Sequence, residues 1–228
     1  MRDILESSTF FAVALTVTAF CIGAACQKKW KKAVFNPILI GAGLVMLALY
    51  ALDVPVDVYQ QGCKALSFLT TPATICLAIG CYEQLQRLKK HLPAILLGVT
   101  GGTLASLLSV WLLSQAFGFS QELTASLLPK SVTSAIGVVL SQQAGGVGAL
   151  TTAVIIITGI LGNVFGPLLA KLFRLEDPIS QGVSYGTAAH VIGTSRATEI
   201  SALTGAVSSL SLTLAGLITT VLLSFLMG

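Results

Sequence analysis

Long apolar stretches alternate with short polar ones along this chain, and the pattern predicts membrane helices. Five stretches run almost without interruption for close to the roughly 20 residues that a helix needs to cross a bilayer. They cover residues 9–26, 33–52, 92–119, 147–172 and 202–227. The basic cluster at 28–32 follows the first stretch, and Arg2 before it is accompanied by Asp3 and Glu6. We therefore expect a retained helix, with a cleaved signal peptide as the alternative.

Three further stretches are long enough to enter a bilayer but are interrupted. They cover residues 65–85, 123–142 and 179–200. Because proline removes a backbone donor and clashes with the preceding turn, we predict helix breaks at Pro72 and Pro129, and a third at Gly193. Simple kinks are the alternative. The whole pattern predicts an all-α polytopic membrane protein with about seven or eight membrane segments, several of them broken or re-entrant.

Two of the interrupted stretches resemble each other. "TPATICLAIG" at 71–80 and "LPKSVTSAIG" at 128–137 share a proline, a following Thr or Ser, and a closing Ala-Ile-Gly. Paired, interrupted segments are typical of secondary transporters that are built from inverted repeats. We therefore predict a single transmembrane domain over residues 1–228, with inverted-repeat halves at about 33–117 and 122–228.

Composition supports the membrane assignment. Of the 228 residues, 54% are hydrophobic and 10% are charged, whereas soluble domains carry about 25% charged residues. The net charge of +4 comes mainly from basic clusters at 28–32, 87–91 and 171–174, and it indicates topology rather than a nucleic-acid surface. By the positive-inside rule these clusters face the cytoplasm, which places the N-terminus outside.

The path of residues 123–142 decides whether the basic residues at 171–174 obey that rule. If the segment crosses the bilayer once, they lie outside. If it dips in and returns, or if another break changes the number of crossings, they lie in the cytoplasm with the other clusters. The charges favour this second case.

Residues 123–142 also carry the basic residue Lys130, which follows Pro129 and precedes Ser131 and Thr133. A lysine within the bilayer costs at least about 3 kcal/mol on insertion scales, so it must face water or a partner. Its ammonium group and the neighbouring hydroxyls would suit a small anion. The alternative places Lys130 near the interface, with its amine extended toward the headgroups.

A second polar concentration is "GTAAHVIGTSRATE" at 186–199. In a helix His190 and Thr194 share a face, and Arg196 and Glu199 are spaced to form an ion pair. Arg196 matches a carboxylate in geometry, and His190 would be able to couple a proton to transport. The alternatives are a purely structural Arg196–Glu199 pair and a histidine that is only hydrogen-bonded.

The residue pattern does not indicate catalysis or metal binding. The five cysteines form no CxxC pair, and the chain lacks nucleophile-elbow, metalloprotease and phosphate-loop motifs. We therefore expect a protein that is not an enzyme and that holds no metal or cofactor.

The sequences "LPKSVTSAIG" and "GTAAHVIGTSRATE" resemble the LrgB/CidB family of bacterial inner-membrane proteins, which is related to the plastid glycolate/glycerate translocator. The similarity continues through "FNPILIG" at 35–41, "TPATICLAIGCYEQL" at 71–85 and "TGAVSSLSL" at 204–212. The resemblance implies a multi-pass protein of the bacterial cytoplasmic membrane. By match, it implies a substrate site formed by Thr74, Lys130, Ser131, Thr133, His190, Thr194 and Arg196.

Two functions of different kinds follow from the resemblance. One is transport of a small monocarboxylate such as glycolate, glycerate or pyruvate, linked to control of murein hydrolase activity and lysis. The other is antiholin-like regulation of lysis through a small LrgA/CidA-type membrane partner, with no transported substrate. A structural scaffold is a third alternative, and the small residues along the helices suit close packing and a homodimer.

Overall fold

The structure, a computed structural model, describes residues 9–30 and 37–227, and these residues form helices joined by short connections. The helices in chain order are α1 Thr9–Trp30, α2 Pro37–Leu52, α3 Val56–Gly62, α4 Lys64–Phe68, α5 Thr70–Glu83, α6 Leu85–Ala116, α7 Gln121–Leu127, α8 Ser134–Gln143, α9 Gly148–Leu172, α10 Pro178–Ile200 and α11 Ala202–Met227. The described ranges contain no strand. The all-α prediction is confirmed.

Four helices in the described ranges are long and apolar enough to cross a bilayer. The spans cover Phe10–Trp30, Leu88–Ala116, Gly148–Leu172 and Ala202–Phe225, and they match four of the five predicted continuous helices. The fifth, α2, is apolar over 16 residues, or about 24 Å of helix. The chain is therefore a multi-pass membrane protein. The total of about seven or eight segments stays a prediction.

The chain divides into two compact units, Met1–Cys76 and Leu77–Gly228. In the first unit, α1 packs closely against the start of α2, because a Cβ on Gly23 would lie 2.6 Å from the carbonyl oxygen of Pro37. The Thr16 hydroxyl joins α1 to α3 through a hydrogen bond of 2.7 Å with Tyr59. The boundary between the units does not fall between the proposed repeat halves, which stay a prediction.

Residues 65–85 are interrupted at Leu69, before the predicted position, and again at Gln84. Helix α4 ends at Phe68 and α5 begins at Thr70, which places Pro72 in the first turn of α5. Proline is tolerated there because the first N–H groups of a helix have no intrahelical acceptor. Pro72 therefore belongs to a helix start and does not interrupt a helix.

In the second unit, α10 lies against α11 at very short range. A Cβ on Gly186 would overlap the carbonyl oxygen of Ser208, and a Cβ on Gly182 would lie 2.6 Å from the Cβ of Val207. Val207 in turn belongs to a buried core with Ile95 of α6. Glycines that remove side-chain bulk are a usual means of close helix packing in membranes. They fix the polar helix α10 against two apolar candidate spans.

Candidate anion site

Residues 121–147 fold into a helical hairpin. Helices α7 and α8 are joined by the turn at 128–133, which contains Pro129. Beyond α8, the Val147 N–H donates to the Ser126 hydroxyl of α7 at 2.8 Å. Nearer the turn, a Cβ on Gly137 of α8 would lie 3.3 Å from the carbonyl oxygen of Pro129. The two arms are therefore antiparallel, and the segment folds back, which is one of the two arrangements that the distribution of basic residues favours.

The tip of the hairpin lies against the middle of two candidate spans. A small cavity at this point is lined by residues from four parts of the second unit. Its hydroxyl-bearing members are Thr103, Ser106, Ser131, Thr187 and Thr219, and its apolar members are Leu107, Leu128, Pro129, Val132 and Ala215. Thr103 and Ser106 are near the middle of Leu88–Ala116, and Ala215 is near the middle of Ala202–Phe225. We name this cavity, with the adjoining Lys130 ammonium group, the tip chamber. The cavity thus lies near the middle of two candidate spans, and transporter sites form near the bilayer midplane.

Lys130 provides the positive charge of the tip chamber. Its Nζ atom donates hydrogen bonds of 3.1 Å to the hydroxyl oxygens of Ser106 and Ser131, and those two oxygens lie 3.1 Å apart. Lys130 is partly buried and forms no ion pair with a described residue. An ammonium group at mid-depth with only neutral partners is an uncompensated charge, which favours an anion beside it.

The donors in this cluster can be counted. An ammonium group has three N–H donors, and Ser106 and Ser131 accept two of them. Each serine hydroxyl has one proton, and the Ser106–Ser131 hydrogen bond uses one of the two. One N–H and one O–H remain for a ligand. Two donors, one of them charged, equal in number the two oxygens of a carboxylate.

Two other predicted site residues contribute less. Thr133 precedes α8 as its N-cap residue, but its hydroxyl does not cap the helix, and Thr133 does not line the cavity. The side chain of Thr74 lies outside the part of the chain that the structure describes, so its place in the site stays a prediction.

Helix α10 is broken at Ala189 and His190, about one turn before the predicted break at Gly193. His190 has φ 43° and ψ −135°, a region that costs a non-glycine residue about 1–3 kcal/mol. Its Nε2 atom lies 2.9 Å from the Ile155 carbonyl oxygen. Since a carbonyl only accepts, Nε2 carries the proton. This contact with α9 holds the ring of the strained residue.

Gly193 has a packing role within the second half of α10. A Cβ at this position would lie 2.5 Å from the carbonyl oxygen of Tyr185 and 2.6 Å from the Cβ of Ala189. The break brings the two halves of α10 together here, and only glycine leaves room for the contact. Gly193 therefore leaves room for the break, but the break itself lies at Ala189 and His190.

Thr194 forms hydrogen bonds both with His190 at the break and with α11. Its hydroxyl donates to the carbonyl oxygen of His190 at 2.9 Å, and it lies 2.8 Å from the Ser208 hydroxyl. The single Thr194 proton is used on the carbonyl, so Ser208 is the donor of the second bond. A shared helical face for His190 and Thr194 was predicted for an unbroken helix, but the helix is broken at His190, whose ring contacts α9 while the Thr194 hydroxyl contacts α11. Neither residue lines the tip chamber. The hydrogen bonds of His190 and Thr194 hold α10 against α9 and α11 and have a structural role.

Arg196 lies outside the tip chamber and is paired. Its guanidinium group donates to the Glu199 carboxylate, and the two side chains are 32% and 50% exposed. This is the arrangement that the sequence left open as a structural ion pair. The predicted polar residues are thus divided between the tip chamber, the break in α10, and the second half of α10.

A larger cavity of about 690 Å³ lies between α6, α7 and α11. Its lining is mostly apolar, with Gln115, Gln121 and Thr124 as polar but uncharged members. It offers no counter-charge to an anion. The tip chamber is therefore the candidate anion site.

Helices α6 and α10 supply hydroxyls to the tip chamber that the sequence did not single out. Ser106 and Thr103 lie in an apolar stretch, where isolated hydroxyls are ordinary. Thr187 lies within "GTAAHVIGTSRATE" beside more conspicuous residues. The available signal was the i, i+3 spacing of Thr103 and Ser106, which puts both on one face of α6.

The fold and the tip chamber define an α-helical, multi-pass membrane protein with a cationic centre at mid-depth, formed by a helical hairpin. The comparisons with known proteins identify the group: the LrgB-like family model matches residues 16–228. The chain belongs to the LrgB-like family.

Relatives match the chain over nearly its whole length. It is 30% identical over 226 residues to the holin-like protein CidB of Staphylococcus aureus, covering 99% of this chain and 98% of that protein. It is 33% identical to YwbG of Bacillus subtilis, covering 94% and 95%. It is 30% identical to the antiholin-like protein LrgB of Bacillus mycoides, covering 96% and 95%. No solved structure matches the chain.

Proposed function

We propose that this protein carries a small monocarboxylate, such as glycolate, glycerate or pyruvate, across the membrane through the tip chamber. The observation that carries the proposal is the Lys130 ammonium group at the middle of two candidate spans, with no described ion-pair partner. A carboxylate would supply the missing charge. The free N–H and the free serine hydroxyl would each donate to one of its oxygens.

Transport by this site requires the hairpin to move. The cavity measures about 10 Å³, which is close to the least volume that holds one water molecule. A two- or three-carbon acid is larger, so the described conformation is a closed one. Movement of the hairpin tip away from α6 and α11 would open the chamber. A hairpin made of two short helices, joined by the turn at 128–133, is the element suited to that motion.

Uptake into proteoliposomes tests the proposal. We expect labelled glycolate, glycerate or pyruvate to enter vesicles containing the wild-type protein, and Lys130→Met to reduce that uptake to the level of protein-free vesicles. Methionine keeps the length and apolar stem of lysine but removes the charge. Lys171→Met is the matched control, because Lys171 is an exposed lysine in the last turn of α9. Equal uptake by the wild type and Lys130→Met would refute the proposal.

The second candidate function is control of lysis together with a small LrgA/CidA-type membrane protein. The names holin-like and antiholin-like of relatives that match nearly the full chain favour it. If this function acts through a partner alone, Lys130→Met should leave lysis control unchanged in cells that express both proteins. If lysis control follows from transport, the same substitution should remove both. Measuring lysis and uptake with one variant separates the two mechanisms.

A further inference from the structure

Two threonine hydroxyls in the wall of the tip chamber have no hydrogen-bond partner. Thr103 of α6 and Thr187 of α10 both line the cavity, and their exposed fractions are 4% and 6%. The Oγ1 atom of each is fully buried, and no described residue hydrogen-bonds to it. Buried hydroxyls are nearly always satisfied in native proteins. Two such hydroxyls on one cavity therefore indicate a polar group that enters it.

The two threonines lie on α6 and α10, whereas Lys130 and Ser131 come from the hairpin turn. Ser106, which accepts a hydrogen bond from Lys130, also lies on α6, three residues after Thr103. The methyl group of Thr187 fills the space above Gly102, since a Cβ on that glycine would lie 3.0 Å from Thr187 Cγ2. The side chain is thus positioned by α6. The chamber combines the cationic cluster of Lys130, Ser131 and Ser106 with a pair of neutral hydroxyls on α6 and α10.

We infer that Thr103 and Thr187 are specificity-determining residues that recognise a hydroxyl group next to the carboxylate of the transported acid. The inference rests on the proposed function and deepens it. A substrate hydroxyl donates one hydrogen bond and accepts another, so it satisfies one threonine as acceptor and the other as donor. An acid with hydrogen at that position leaves both threonines unpaired. A site with unpaired polar groups discriminates strongly against such an analogue.

The charge of the chamber argues against a second carboxylate at this position. Among the described residues at the tip chamber Lys130 is the one that is charged, and a single carboxylate neutralises it. A dicarboxylate would bring an uncompensated negative charge to mid-depth, which is strongly unfavourable. A neutral hydroxyl satisfies the two threonines without that cost. The chamber thus fits a hydroxy monocarboxylate.

Competition against labelled glycolate uptake in proteoliposomes tests the inference. Unlabelled glycolate and acetate have the same charge and differ by one hydroxyl. For the wild type we expect glycolate to inhibit at a concentration about tenfold lower than acetate, the effect of one or two hydrogen bonds. In Thr103→Val and Thr187→Val, which keep the side-chain shape, that ratio should fall toward one. Thr103→Ser and Thr187→Ser keep the hydroxyl and should keep the ratio.

Ser114→Ala is the matched control. Ser114 is also on α6, is 1% exposed and has an unpartnered hydroxyl, but it does not line the tip chamber. This variant should retain the wild-type ratio. An unchanged ratio in both valine variants, with uptake still dependent on Lys130, would overturn the inference and leave the proposed function standing. Absence of any Lys130-dependent uptake in the wild type would overturn both.

Discussion

Linking the hairpin to α6 by a disulfide should abolish uptake, and a reductant should restore it. The variant carries Ser106→Cys and Ser131→Cys in a chain whose own five cysteines are replaced by serine. The hydroxyl oxygens of Ser106 and Ser131 lie 3.1 Å apart, so the two sulfur atoms would reach the disulfide length of about 2.05 Å with a small adjustment. Because the closed chamber admits about one water molecule, a covalent link at this point would hold it shut.

Both serines belong to the Lys130 cluster, so their replacement lowers uptake by itself. Uptake is therefore compared within the double-cysteine variant, before and after reduction. The two single-cysteine variants control for oxidation without cross-linking, and they should be insensitive to the oxidant. Equal uptake by the fully cross-linked and the reduced protein would show that the acid does not pass between the hairpin and α6.

Replacing Gly186 by alanine should destabilise the second unit strongly. The new Cβ would overlap the carbonyl oxygen of Ser208, and a backbone atom cannot move aside as a side chain can. Overpacking of this kind costs about 1–3 kcal/mol. The contact lies on the face that joins α10 to α11, so Thr194 and the break at His190 would be displaced as well. Thermal unfolding in detergent should show a clearly lowered midpoint.

Gly101→Ala is the control for that measurement. Gly101 lies within α6, and a Cβ there meets no atom within 4 Å. Alanine in a helix is favoured over glycine by up to about 1 kcal/mol, so this variant should unfold at or above the wild-type temperature. If Gly186→Ala unfolded at the same temperature as Gly101→Ala, this would show that α10 and α11 do not approach each other so closely in the protein.

The apolar pattern was sufficient to predict the helical class and four of the candidate spans, because a bilayer requires long apolar helices. The hairpin was also predictable. A proline in residues 123–142 indicated a break, and the basic residues at 171–174 favoured either a segment that returns or another break that changes the number of crossings. Lys130 and Ser131 are adjacent in the chain, so their association needed no knowledge of tertiary contacts.

The sequence could not show the position of the break in α10 or the depth of each polar residue. Glycine is the expected residue at a break, yet the left-handed conformation is adopted by His190, where contacts with α9 and Thr194 stabilise it. The spacing of Arg196 and Glu199 indicated a pair but not its exposure. Ser106 reaches Lys130 only because α6 packs against the hairpin, and a single sequence does not show such tertiary contacts.

Equilibrium binding of labelled glycolate to the purified protein in detergent tests most directly whether the tip chamber holds a small carboxylate. The wild type and Lys171→Met should bind one glycolate with the same affinity, and Lys130→Met should lose measurable binding. Bound glycolate in Lys130→Met at the wild-type affinity would contradict the assignment of the anion site to the tip chamber.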